Sequence, residues 1–238
     1  RPNLDLGRFR EKLRALPCCV TNKSGERNGD PLNLVVVGSI SDVLAAMSRA
    51  GWSFTHRIDF DTIRRTIGAA ISGDAYPVAP VSSLYFMGRP QDMALQQARN
   101  TITQRNHLRL WLAPFLLEGR SVWVGQISRD IDVKMTTHSS TLTTHVIDPN
   151  VDEAREHLLQ SLMVAGAIEQ FAFVEGLAPA PSSQPHTNLS EDPYFTDGLR
   201  LVAILSGERM TPPGEIEFIE WQNSDDPIRD AQDSNTGD

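Results

Sequence analysis

The chain lacks an excess of cations: 22 Lys and Arg stand against 30 Asp and Glu, a formal net charge of −8 over 238 residues. A phosphate backbone or an anionic membrane surface has to be met by clustered Lys and Arg, so this balance argues against nucleic acid and against electrostatic docking on lipid. Long apolar runs are missing as well. A membrane-spanning helix needs ~20 apolar residues, and the longest run here, Leu110 to Leu117, is broken by Pro114. Cysteine is reduced to an adjacent pair, Cys18 and Cys19. Neighbouring residues do not easily reach ordinary disulfide geometry, so no staple is expected, and without a second pair they make no zinc site. The charged segment before Cys18 rules out a lipoprotein acylation signal. No histidine has another at a spacing of two or four, and Ser39, Ser128 and Ser206 lack the Gly-x-Ser-x-Gly context of a hydrolase elbow. Neither a metal nor another cofactor is expected.

What is present suffices for a core, with 40% hydrophobic residues. Residues 1–30 read as a polar lead-in, with a short helix around Leu6–Leu16 stopped by Pro17. Residues 31–221 read as a single domain. Residues 222–238 hold five Asp against Arg229 alone and almost nothing apolar, the composition of a disordered acidic tail. The start at Arg1 rather than Met suggests a piece of something longer. Within the domain, Leu32–Val37 is a strand buried on both faces. Ser39 and Asp42 form a capping box for a helix that Gly51 stops. Gly38-Ser39 at that start is read as an ordinary cap ahead of a phosphate site.

A helix is expected from Asp61, a strand over Ser83–Met87, and a helix or irregular excursion over Gln91–Thr103. Three strands follow: Asn106–Leu112, Val122–Arg129 and Thr141–Ile147. Asn150 and Glu153 make a second capping box, for a helix closed by Gly166, and strands Ile168–Glu175 and Leu199–Leu205 come after it. Asp192–Gly198 is a tight aromatic turn, structural by default. Helices and strands mix without strict βαβ alternation, so the fold class is α+β, a largely antiparallel sheet with helices packed on one face.

One stretch carries chemistry. In Asn106–Leu112 the leucines alternate with His107, Arg109 and Trp111, so period two puts the leucines inward and the others on a polar face. Glu118-Gly119 has the form of a two-residue hairpin turn. If Leu117 pairs with Arg120, counting back sets Trp111 opposite Gln126, Arg109 opposite Ser128 and His107 opposite Asp130. Pro114 is the place where a bulge would move that register. On the next strand His145 joins the same face, with Asp148 at its end. The candidate cleft is therefore His107, Arg109, Asp130, His145 and Asp148. A carboxylate-held imidazole serves as a general base, and two histidines with aspartates serve a divalent metal beside an anion-stabilising Arg. The same residues also make a polar network that orders a sheet.

Several ordered segments resemble the LssY C-terminal domain family. They are Pro31-Leu32-Asn33-Leu34, the Gly51-Trp52 after the first domain helix, Leu84 to Asp92, Arg105 to Trp111, Val122 to Gly125, Arg129-Asp130 and Thr144 to Pro149. The resemblance covers roughly Leu16 to Leu177. It implies a bacterial cell-envelope domain attached to the membrane through segments absent from this chain. Its implied company is a membrane-embedded partner domain, of DedA or phosphatidic-acid-phosphatase type, or an envelope protein. It implies no particular reaction. The leading expectation is an accessory or ligand-binding domain taking a small anionic ligand. The competing one is a metal-assisted or His–Asp hydrolase of a phosphoester or lipid-derived substrate.

Overall fold

Four consecutive apolar residues, Leu34–Val37, are fully buried, which demands cover on both faces of the strand they form. The computed structural model describes residues 1–54, 84–98, 105–135 and 143–221, with the backbone alone for 132–135 and 143–145. The helix expected from Asp61 and the acidic tail lie outside the described residues.

The strands are β1 (Asn3–Leu4), β2 (Cys19–Thr21), β3 (Asn28–Pro31), β4 (Leu34–Val37), β5 (Ser53–Phe54), β6 (Tyr85–Phe86), β7 (Arg89–Pro90), β8 (Met93–Ala98), β9 (Arg105–Leu117), β10 (Arg120–Met135), β11 (Thr143–Ile147), β12 (Ile168–Glu175), β13 (His186–Thr187), β14 (Pro193–Tyr194), β15 (Leu199–Leu205) and β16 (Glu217–Phe218). The helices are α1 (Leu6–Arg14), α2 (Ile40–Arg49) and α3 (Val151–Val164). The main sheet runs β16-β12-β15-β4-β10-β9-β8-β5, with β11 beside the far half of β10 and β1 beside the end of β9. Most pairs are antiparallel, but β4–β15, β12–β16 and β1–β9 are parallel. The fold is α+β with a mixed sheet.

Alternate residues of β4 go to two different cores. Leu34 and Val36 join α2 and α3, with Val43, Met47, Leu158 and Leu162, on the front face. Val35 and Val37 join Phe9 and Leu13 of α1, together with Val20, Leu32 and Phe86, on the back face. Helices therefore cover both faces, not one. Residues 1–30, expected as a lead-in, belong to the packed domain, because Phe9 and Leu13 have no exposed surface. The back face is also covered by a small second sheet, β3-β2-β6-β7. Within Gln91–Thr103, open between a helix and an irregular excursion, residues 93–98 form β8, pairing along β9, and 99–103 lie outside the described residues.

The α2 capping box is formed as the sequence implies: Asp42 N–H donates to the Ser39 hydroxyl at 3.1 Å and Ser39 N–H to the Asp42 carboxylate at 2.8 Å. The second box is not. Asn150 makes no side-chain cap; Asp148 Oδ1 accepts from Asn150 N–H at 3.0 Å, while the Asn150 amide donates to Glu153 at 3.3 Å. Gly166 (φ 59°) closes α3 as expected. A further correction concerns Cys18 and Cys19, which are joined in a disulfide with Cα atoms 3.7 Å apart.

Arg200 on β15 is buried, and desolvation lowers its pKa to about 10. Its guanidinium donates to the carbonyls of Leu13, Leu16, Pro17, Leu32 and Gly176. Three of these lie at or just past the end of α1, where unpaired carbonyls concentrate negative charge. The arginine thus seats α1 on the sheet.

Candidate functional site

The hairpin between β9 and β10 turns at Glu118 (φ 46°) and Gly119 (φ 81°), and Leu117 pairs with Arg120 as the turn residues imply. The register then moves. Ser121 pairs with Leu116 but Trp123 with Leu112, so Ala113, Pro114 and Phe115 stand opposite Val122 alone. Proline has no N–H for the ladder and bulges the strand. Beyond it Gln126 pairs with Arg109, Ser128 with His107 and Asp130 with Arg105. Each of the expected pairings, including His107 opposite Asp130, is displaced. The displacement is two residues, and side chains alternate with period two, so every residue keeps its face.

His107 and Asp130 consequently meet as diagonal neighbours on the back face, Nε2 to Oδ2 at 2.6 Å. Both are buried, at 8% and 3% exposure. Arg109 Nη1 donates to Gln126 Oε1 at 2.9 Å. These residues lie where β4 gives out as the partner of β10, at Gly125, and before β11 takes over, at Asp130. Asn33 bridges the gap with its side chain, donating to Ile127 C=O and accepting from Ile127 N–H, both at 3.0 Å. Its amide continues the ladder while the backbone turns away toward β3.

That turn delivers Asp30, which sequence reasoning missed. Asn188 Nδ2 donates to Asp30 Oδ1 at 3.2 Å. The Asn188 Oδ1 accepts from the backbone of Ser190 and Asp192, closing a tight loop that includes Glu191 at φ 64°. Asp192 and Tyr194 follow, both buried. The turn around Asp192 was visible in the sequence, but its pairing with Asp30 spans some 160 positions and leaves no local signal.

Burial holds the Asp30 carboxyl above its ordinary range, and the carboxylates of Asp130 and Asp192 push the same way against Arg109 and Asn188. Desolvation lowers Arg109 from its usual value, opposed by Asp30 and Asp130. Tyr194 is pushed up to about 12 by burial and then by the Asp30 charge. Two donors of the cluster, Arg109 Nε and Gln126 Nε2, are buried and find no acceptor among the described residues. Their residues are 8% and 0% exposed.

Of the expected cleft, His107, Arg109 and Asp130 come together. Asp148 does not join them: it sits 3.3 Å from Arg129 Nη1 and anchors the start of α3. His145 lies on β11 with its backbone opposite Val133, and its side chain is outside the described residues. Among the described residues no group of three or more His, Cys, Asp or Glu is arranged to hold a metal ion. A shallow groove of about 300 Å³ lies elsewhere, beside the start of α3, lined by Arg129, Glu153, Glu156 and His157 among others.

Fold and site together define an α+β domain with a polar cluster enclosed between a mixed sheet and a smaller sheet on its back. The chain belongs to the LssY C-terminal family: the family model described as LssY C-terminus matches residues 11–199. No curated protein and no solved structure matches it.

Proposed function

We propose that this is a ligand-binding accessory domain of the bacterial cell envelope, working with a membrane-embedded partner domain or another envelope protein. Family membership supports the setting. A disulfide between Cys18 and Cys19 also fits an oxidising compartment. The observation that carries ligand binding is the pair of buried donors, Arg109 Nε and Gln126 Nε2, that find no acceptor among the described residues. A buried donor left unmade costs about 1–3 kcal/mol, so both favour an incoming oxygen.

The ligand is an uncharged or weakly charged molecule bearing carbonyl or hydroxyl oxygens. Arg109 taken alone suggests an anion, but Asp30 and Asp130 already share its charge, and Asp192 adds a third carboxylate nearby. A strongly anionic ligand would meet that repulsion at once. The test follows the Arg109 Nε–H and Gln126 amide signals by NMR, titrating with N-acetylglucosamine and separately with inorganic phosphate. Movement of both signals with the sugar, absent in Gln126→Leu, supports the reading. Movement with phosphate alone restores the anionic ligand, and no movement with either removes the proposed class.

The hydrolase reading is favoured by one observation, the 2.6 Å His107–Asp130 contact beside Asp30, whose carboxyl pKa burial raises. Turnover of p-nitrophenyl phosphate that disappears in His107→Gln would establish it. A flat trace with and without added zinc would remove it.

A further inference from the structure

The disulfide between Cys18 and Cys19 sits against the strand that carries Asp30. Neighbouring side chains of an extended strand point to opposite faces, so consecutive sulfurs bond only where the backbone leaves that alternation. Strand β2 shows the departure. It begins at Cys19 rather than Cys18, and its pairing with β3 slips between Cys19, opposite Pro31, and Thr21, opposite Asn28. Asp30 lies inside that slipped stretch. The pair is fixed from outside as well: Leu32 N–H donates to the Cys18 carbonyl at 2.9 Å, and Arg200 holds the Pro17 carbonyl.

We propose that Cys18 and Cys19 are a redox-active pair, opened by a dithiol reductant, whose state sets the register of β2 on β3 and with it the placement of Asp30. The inference stands whatever the polar cluster binds. Cys18 is half-buried and Cys19 buried, so the incoming thiolate reaches Cys18 Sγ first. The new S–S bond forms there, the old one breaks, and its electron pair leaves on Cys19 Sγ, which takes a proton. The second thiolate of the reductant attacks its own sulfur in the mixed disulfide, closing the reductant's disulfide and freeing Cys18, which is protonated in turn. Two electrons and two protons pass to the protein. Both residues can then extend, and the pairing of β2 with β3 beyond Cys19 can close without the slip.

The experiment takes the whole chain, untreated or reduced with dithiothreitol. Alkylation with iodoacetamide and intact mass count the thiols; hydrogen exchange is read on peptides covering residues 18–21 and 28–32. Untreated protein takes no label and reduced protein takes two. Exchange at 28–32 changes about threefold or more on reduction and returns on reoxidation. A Cys18→Ser/Cys19→Ser variant shows the reduced pattern with or without dithiothreitol; if it fails to fold, the wild-type comparison decides alone. Untreated protein that alkylates on both cysteines overturns the proposal. So does a pair that cycles while 28–32 exchanges unchanged.

Discussion

Replacing Asp30 by Asn removes a charge from a place that disfavours it and keeps the oxygen that Asn188 uses. The wild-type carboxyl is held above 3.8 in the folded protein by burial, with Asp130 and Asp192 adding repulsion. The folded chain therefore binds this proton more tightly than the unfolded chain. Its contribution to stability is fullest below the unfolded carboxyl's pKa and is lost as pH rises through the raised folded value. Asn has no such loss. The two proteins should be equally stable near pH 3.5, and the variant should gain as pH rises, levelling off once wild-type Asp30 is ionised. Burial of an uncompensated polar group costs about 1–3 kcal/mol, which sets the scale of the gain. For a chain of this size that is roughly 2–12 °C in melting temperature. Urea and thermal melts at pH 4, 6 and 8 give the curve. A variant less stable than wild type at pH 8, or a difference that ignores pH, would refute the electrostatic account of the cluster.

Asp130→Ala should act in the opposite sense, because it leaves the His107 imidazole buried without the carboxylate 2.6 Å away. Leaving a buried polar group without its partner costs about 1–3 kcal/mol, readable by urea denaturation. Gly125→Ala puts a Cβ 2.9 Å from Leu110 Cδ2 and 3.2 Å from Leu34 Cβ in the front core. Overpacking of that kind should cost about 1–3 kcal/mol, and an unchanged midpoint would mean the leucines give way. Arg200→Met strips the donor from the buried carbonyls of Leu13 and Leu32 but also removes a guanidinium that burial penalises. The net loss should be about 1–3 kcal/mol, with α1 exchanging hydrogen faster than the sheet.

The strands with clean patterns were legible. The alternation of β9 and the two-residue turn placed His107, Arg109, Gln126, Ser128 and Asp130 on one face, and they share it. What the alternation could not supply was the register, because Pro114 absorbs two residues through backbone geometry. The even displacement saved the face assignment; a one-residue bulge would have reversed it. The N-terminal segment looked polar because α1 buries chiefly Phe9 and Leu13 among charged neighbours. Arg200 reads as an ordinary strand arginine, since its partners are carbonyls that carry no sequence signature. Asp30 and Asn188 were hidden for the same reason: tertiary crossing, not local pattern, brings them together.

Electron density around Arg109 and Gln126 in a high-resolution crystal structure bears most directly on the idea of a site prepared for an oxygen-bearing guest. The account predicts an oxygen from outside the protein within about 3.2 Å of Arg109 Nε and Gln126 Nε2, water in the free protein and ligand in the complex. A protein carbonyl or carboxylate satisfying both donors would contradict it, leaving a polar network that serves the fold alone.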